Sequence, residues 1–153
     1  MKKHISEFIK KLGTANVCCS DDNNYPYCFS CYYTYNADKQ LLYYKSSADT
    51  QHSLLLQKKP EVAGTILPEK QEVMSIKGIQ FTGVLLDRKN ILCADASRLY
   101  LMQYPFALAM PGEIYTIRLD KIKMTDNSLG FGKKLQWSRE EEHRANHYHQ
   151  SYL

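Results

Sequence analysis

The chain has no hydrophobic run approaching the roughly 18 apolar residues that a membrane-spanning helix requires, so no membrane partner is expected. It also lacks the apolar core of a signal peptide: the basic start, Met1-Lys2-Lys3-His4, is followed by Glu7, Lys10 and Lys11 where that core would have to lie. A cytoplasmic protein is the expectation. Basic residues never form a run. Lys and Arg outnumber Asp and Glu by 20 to 16, but the two signs are interspersed. That argues against a nucleic-acid partner and suits a small anionic ligand at least as well. The seven glycines lie far apart except Gly130 and Gly132. There is therefore no dinucleotide fingerprint and no P-loop, and without alternating strands and helices a Rossmann fold is excluded.

Cysteine is present without a framework. An odd count of five, in a chain with no export signal, predicts reduced thiols rather than disulfides. Cys28-Phe29-Ser30-Cys31 has C-x-x-C spacing, but no second pair follows at zinc-finger distance. Within a strand, moreover, positions i and i+3 point to opposite faces and share a metal poorly. The tail histidines, His143, His147 and His149, put two imidazoles on one helical face, too few for a metal site.

What the chain does have is tyrosine, 12 in 153 residues, much of it in strand-like stretches where aromatic rings fit a half-buried pleated surface. Ile5, Phe8, Ile9 and Leu12 give residues 3–12 a helical stripe ending at Gly13, a natural C-cap. Strands are expected over Thr14–Ser20, Tyr27–Tyr35 and Leu41–Lys45, the first two forming a hairpin around Asp21-Asp22-Asn23-Asn24. Further strands are expected over Val62–Leu67, Val73–Leu86 and Glu113–Met124, with a short last one over Leu129–Trp137. Ile91–Tyr104 carries a helical stripe that Pro105 stops. The polar tail from Ser138 reads as a frayed helix or disorder. The sum is one mainly β domain over residues 1–137, an antiparallel barrel or sandwich with a few helices, and a tail over 138–153.

One stretch stands out chemically. Tyr43–Thr65 reads as a strand end, a polar turn through Lys45, Ser46, Ser47 and Asp49, a short helix through Leu54–Leu56, then Pro60 and a strand. Such a turn sets hydroxyls and free N–H groups at a helix N-terminus, where an anion is stabilised. The same residues would equally serve as an ordinary helix cap.

The pattern of aromatic strand end, hydroxyl-rich turn, Thr50-Gln51-His52, Leu56 and Lys59-Pro60-Glu61-Val62 resembles the phosphate-binding segment of the pyridoxamine 5'-phosphate oxidase-like flavin proteins, the FMN-binding split barrels. Ile76–Gly83 and the longer run Ile117–Lys134 resemble a functionally uncharacterised bacterial branch of that superfamily, the YhbP-like proteins. The resemblance spans residues 3 to 137. It implies a six-stranded antiparallel Greek-key split barrel that forms a homodimer, with FMN held in grooves between the subunits.

Many members place Ser-x-Lys at the helix start against the FMN phosphate; here those positions are Thr50 and His52. The hydroxyl is kept and the permanent cation is replaced by an imidazole, with Lys45 a candidate to supply the charge. Ser46, Ser47 and Gln51 complete the turn, and Gln80 offers an amide to the polar edge of a flavin. Lys77 should face away from Gln80 unless Gly78 permits a bulge or the partner subunit intervenes. Lys133 and Lys134 would line the groove or protect an edge strand, and Trp137 would serve as an anchor or a flavin contact. No residue declares itself a general acid or base; Tyr33, Cys31 and His52 are the titratable groups to inspect. The expected function is an FMN-dependent oxidoreductase acting on an unknown small molecule. The alternative is a non-catalytic carrier or sensor of flavin or another anionic ligand, with a nucleic-acid-binding barrel a third reading.

Overall fold

The computed structural model describes residues 1–70, 75–129 and 133–150. In it a helix, α1 (Lys3–Lys11), leads into strands β1 (Thr14–Ser20), β2 (Pro26–Asn36) and β3 (Leu41–Ser46). Helix α2 (Gln51–Lys58) follows, then β4 (Glu61–Ile66) and β5 (Lys77–Leu85). Helix α3 (Ala96–Gln103), β6 (Glu113–Asp126), β7 (Lys134–Ser138) and α4 (Arg139–Gln150) complete the chain. The strands run in the order β3-β2-β1-β4-β5-β6-β7, and β3 pairs back onto β6, closing six antiparallel strands into a barrel. The 14-residue β6 makes this closure possible. Its first half takes β3 on one side and its second half takes β7 on the same side.

Alternation decides what fills the barrel. Ile79 and Phe81 of β5 point inward, while Gln80 and Thr82 stay exposed. Val17, Leu42, Leu56, Ile117, Leu119 and Met124 join them in one core. Ile5 and Ile9 of α1 have no exposed surface, and the Tyr33 hydroxyl donates to the Ile9 carbonyl at 2.6 Å. The helical stripe therefore does what it was expected to do. Leu41–Tyr44 are four consecutive buried residues because both faces of β3 are covered. Leu42 and Tyr44 enter the barrel core, whereas Leu41 and Tyr43 pack under α3 with Leu86, Ala96, Tyr100 and Ala107.

Gly64 of β4 is set by close approach: a Cβ there would lie 2.4 Å from Phe81 Cζ and 2.5 Å from the Asn16 carbonyl oxygen. The Asn16 carbonyl belongs to a paired strand and cannot retreat. Gly64→Ala is therefore expected to destabilise the protein by roughly 1–3 kcal/mol, read as a lower urea midpoint with an unchanged slope.

Several expectations need correction. Cys18 and Cys28 are not reduced thiols but a disulfide, because the hairpin register places them directly opposite each other with Cα atoms 4.2 Å apart. Cys31, on the opposite face of β2, is free and packs on the core. Helix α1 ends at an extended Leu12 rather than on a Gly13 cap. The expected helix over 91–104 divides into a 3-10 turn at Ile91–Cys93, capped by the Asn90 side chain, and α3. The early parts of the expected strands over 73–86 and 129–137, at 73–74 and 130–132, lie outside the described residues. The tail forms α4, which is held against the barrel. Arg139 donates to the carbonyls of Leu119, Lys39 and Gln40 at 2.8–3.0 Å, and the Trp137 indole N–H donates to Glu142 at 3.0 Å. Trp137 is thus a buried anchor, and exposed Lys134 opens the edge strand β7. Among the described residues no helix is long and apolar enough to cross a membrane.

Candidate functional site

The turn between β3 and α2 folds onto itself. Thr50, in extended conformation, is the N-cap of α2 and accepts from the Ser53 N–H. The hydroxyls of Thr50 and Ser53 both donate to the Ser47 carbonyl, at 3.0 and 2.8 Å. The Thr50 hydroxyl also lies within donating distance of Ser53 Oγ, at 2.8 Å, so its proton is engaged inside the turn by one or other of these acceptors. The His52 Nε2 lies 2.8 Å from Ser46 Oγ and 3.2 Å from Thr50 Oγ1, and those two oxygens are 3.2 Å apart. Two hydroxyls and an imidazole nitrogen thus converge on one point at the start of α2. The N–H groups of Gln51 and His52, in the first helical turn, have no intrahelical acceptor there.

His52 is fixed from behind. Its ring stacks on Phe29 of β2 with centroids 3.8 Å apart and planes 10° off parallel. Burial pushes the imidazole below its ordinary value of 6.5, so it is neutral at pH 7. From Phe29 a chain of rings continues inward to Tyr44 at 5.6 Å and on to Tyr115 at 5.4 Å. The cradle is consequently made of neutral donors and acceptors.

Of the residues singled out in the sequence, the structure brings together Ser46, Ser47, Thr50, Gln51 and His52. It does not bring in the other three. Lys45 turns away, its ammonium donating to the carbonyls of Ala107 and Met110 at 2.6 Å each, so it closes the turn after α3. Lys77 faces inward, 3.6 Å from the buried Asp126 carboxylate. Gln80 is on the outer face of β5, separated from Lys77 as strand alternation requires. The β5–β6 register shifts between Thr82 and Gly83 rather than at Gly78, the extra residue, Asp120, lying in β6, and so cannot reunite them. Burial pushes the Cys31 thiol up to about 12 and raises the Tyr33 phenol as well. Neither is poised for proton transfer near neutrality. Phe29 and Ser53 were not legible as site residues: a strand aromatic and a helix serine carry no mark of which ring or carbonyl they will meet.

A relative from Photorhabdus laumondii, a UPF0306 protein, is 36% identical over 121 residues, covering 79% of this chain and 85% of its own length. The chain belongs to the UPF0306 family. No protein-family model matches it. Among solved structures, the UPF0306 barrel superimposes on a heme binding protein from Mycobacterium smegmatis with TM-score 0.72 at 11% identity, covering 90% of this chain and 59% of that one. A protein of the pyridoxinephosphate oxidase family from Clostridium acetobutylicum, related to general stress protein 26, gives TM-score 0.62 at 14% identity, covering 90% and 94%. A FAD-binding protein from Mesorhizobium loti gives 0.63 at 15%, covering 82% and 95%. The UPF0306 chain therefore has the split-barrel fold these proteins share. At such identities the likeness speaks for the fold alone.

Proposed function

We propose that this UPF0306 protein is an FMN-binding split barrel of the YhbP-like branch, with the flavin phosphate seated at the start of α2. The observation that carries this reading is the convergence of Ser46 Oγ, Thr50 Oγ1 and His52 Nε2 within 3.2 Å of one another at a helix N-terminus. The donor set fits a phosphate. Hydroxyls donate once they give up their internal bonds, an imidazole donates one N–H, and the first-turn amides of Gln51 and His52 point along the favourable end of the helix dipole. The Phe29 stack holds the imidazole in place for that contact. Lys45 is spent on backbone carbonyls, so no permanent cation joins the set.

Bound there, FMN would supply hydride or single-electron chemistry. The chain's own residues hold its phosphate end and shield it. We place the ring end in a groove shared with a second subunit of a homodimer, and the activity in oxidoreduction of a small molecule. A carrier or sensor role is the second reading. It is favoured by Cys31 and Tyr33, whose burial leaves neither able to exchange a proton near pH 7.

Purified protein titrated separately with FMN, FAD and hemin, followed by absorbance, tests the reading. Stoichiometric FMN uptake by a species that light scattering finds dimeric is the expected result. Uptake of hemin with none of FMN would overturn it. Anaerobic bleaching of the bound flavin by a nicotinamide dinucleotide, followed by turnover with an acceptor, separates the enzyme from the carrier.

A further inference from the structure

The Cys18–Cys28 disulfide lies on the outer face of the β1–β2 hairpin. Val17 and Cys19 point into the core, so Cys18 between them points out, as does its partner across the ladder. Cys28 is exposed and Cys18 half-buried. The neighbours on that face are short side chains: Asn16 and Ser30 along the two strands, and Ala63 of β4 opposite Cys18. A thiolate arriving from solvent can reach the bond.

As a staple this disulfide is poorly placed. Its cysteines are 10 residues apart in sequence, and the stabilisation from a cross-link is smallest for short loops. The ladder from Thr14↔Tyr32 to Ser20↔Pro26 already holds that loop, as does the turn in which the Asp21 carboxylate accepts from the N–H groups of Asn23 and Tyr25. Exposed disulfides are the labile kind, whereas structural ones resist exchange. The pair is also self-contained. Cys19 is buried, its thiol donating to the Tyr27 carbonyl at 3.6 Å. Burial pushes the Cys31 thiol up to about 12, and Cys93 packs in the separate cluster under α3. None of the three supplies a thiolate that would reshuffle the bond.

The hairpin touches both ends of α2. Phe29, next to Cys28, stacks on His52 at the helix start. At the hairpin tip, Lys58 pairs with Asp22 at 2.8 Å, and Lys59 donates to the Asp21 carbonyl at 2.6 Å and to Asn24 Oδ1 at 2.9 Å. Once reduced, the two sulfurs must part to non-bonded contact, about 3.5–4 Å, between Cα atoms only 4.2 Å apart. The strands then lose the cross-link that fixes Phe29 and the tip against the helix.

We infer that Cys18 and Cys28 form a reversible dithiol–disulfide couple, exchanging with a dithiol, whose oxidised form clamps the hairpin against α2. A thiolate of the partner attacks Cys28 Sγ, the exposed sulfur, and Cys18 leaves as a thiolate and takes a proton. The partner's second thiolate then displaces Cys28, which takes the other proton. Two electrons pass to the protein, the partner ends as a disulfide, and the two protons it gave up are the two the cysteines hold. The inference goes beyond the flavin reading and does not rest on it, because its readouts need no ligand.

The test treats the folded full chain with dithiothreitol and then with its oxidised form, counting thiols by mass after alkylation in denaturant. Three of the five cysteines should be modified in the oxidised protein and all five in the reduced one, the two states interconverting while near-UV circular dichroism stays native. Amide hydrogen exchange over residues 51–58 should be faster in the reduced protein by about threefold or more. In Cys18→Ser the exposed Cys28 thiol should react with a disulfide reagent several-fold faster than the Cys18 thiol does in Cys28→Ser. Reduction that needs urea, a reduced protein that does not re-form the bond, or unchanged exchange in α2 would overturn the proposal. Equal reactivity of the two thiols would overturn the assignment of Cys28 as the sulfur attacked. The thiol count and the exchange use wild-type protein and so hold whatever the variants do to folding.

Discussion

Asp126→Ala is expected to destabilise the protein by about 3 kcal/mol at pH 7, the lower end for breaking a buried ion pair. The carboxylate is fully buried. It accepts from Ser128 Oγ at 2.6 Å and from the Ser128 N–H at 3.0 Å, with His4 Nε2 at 2.8 Å and Lys77 Nζ at 3.6 Å. His4 ties the first turn of α1 to the end of β6, so the loss reaches the helix that closes the barrel core. The lower end applies because the His4 and Lys77 side chains, 43% and 36% exposed, can return to water.

The same carboxyl gives the result a pH dependence. Burial alone would raise its pKa, but the hydrogen bonds from Ser128 and His4 and the charge of Lys77 outweigh that and hold it below 3.8. A depressed carboxyl stabilises the fold fully above its unfolded value, and the contribution disappears as pH falls through the folded one. Wild-type stability should therefore drop more steeply below pH 3.8 than that of Asp126→Asn. Urea unfolding of the two proteins across the acid range checks it; parallel acid limbs would show that the carboxyl is not linked to folding.

The joint replacement of Thr50 and His52 by alanine is expected to weaken FMN binding by about 1–3 kcal/mol, the scale of hydrogen bonds to a charged group. An unchanged titration would remove both from the site. His52 also sets a sign. Its pKa in the free protein lies below 6.5 because of burial, and a phosphate dianion beside it would raise that value. Binding then takes up a proton, and affinity rises as pH falls toward 6.5 from the alkaline side. His52→Lys supplies a permanent cation and should remove that slope while binding FMN about tenfold more tightly, as a charged contact would. Calorimetry in buffers of different ionisation enthalpy reads the proton uptake directly. None for wild type, or the same uptake in His52→Lys, would take the imidazole out of the phosphate contact.

The strand and helix positions were largely legible in the sequence because alternation and helical stripes are local. Ile79 and Phe81 against Gln80 and Thr82, and Ile5 with Ile9, declare their faces through neighbours two to four residues away. The cradle was legible to the same extent and for the same reason: Ser46, Ser47, Thr50, Gln51 and His52 belong to a single turn. Where the sequence reading failed, the partner lay far off along the chain. Lys45 has the residue type for a phosphate ligand, but the carbonyls of Ala107 and Met110, about 60 residues on, claim it. Lys77 is claimed by Asp126. Cys18 and Cys28 looked like an unpaired remainder until the hairpin register set them face to face.

The sequence by itself therefore determined a mainly β domain, barrel or sandwich, and a short hydroxyl-rich turn at a helix start; the pairing of β3 with β6 made it a barrel. Only the tertiary structure decided the electrostatics of that turn. Charge at a site depends on which cations the rest of the fold leaves free. Here the fold turns both candidate lysines elsewhere and stacks His52 on Phe29, leaving a cradle of neutral groups.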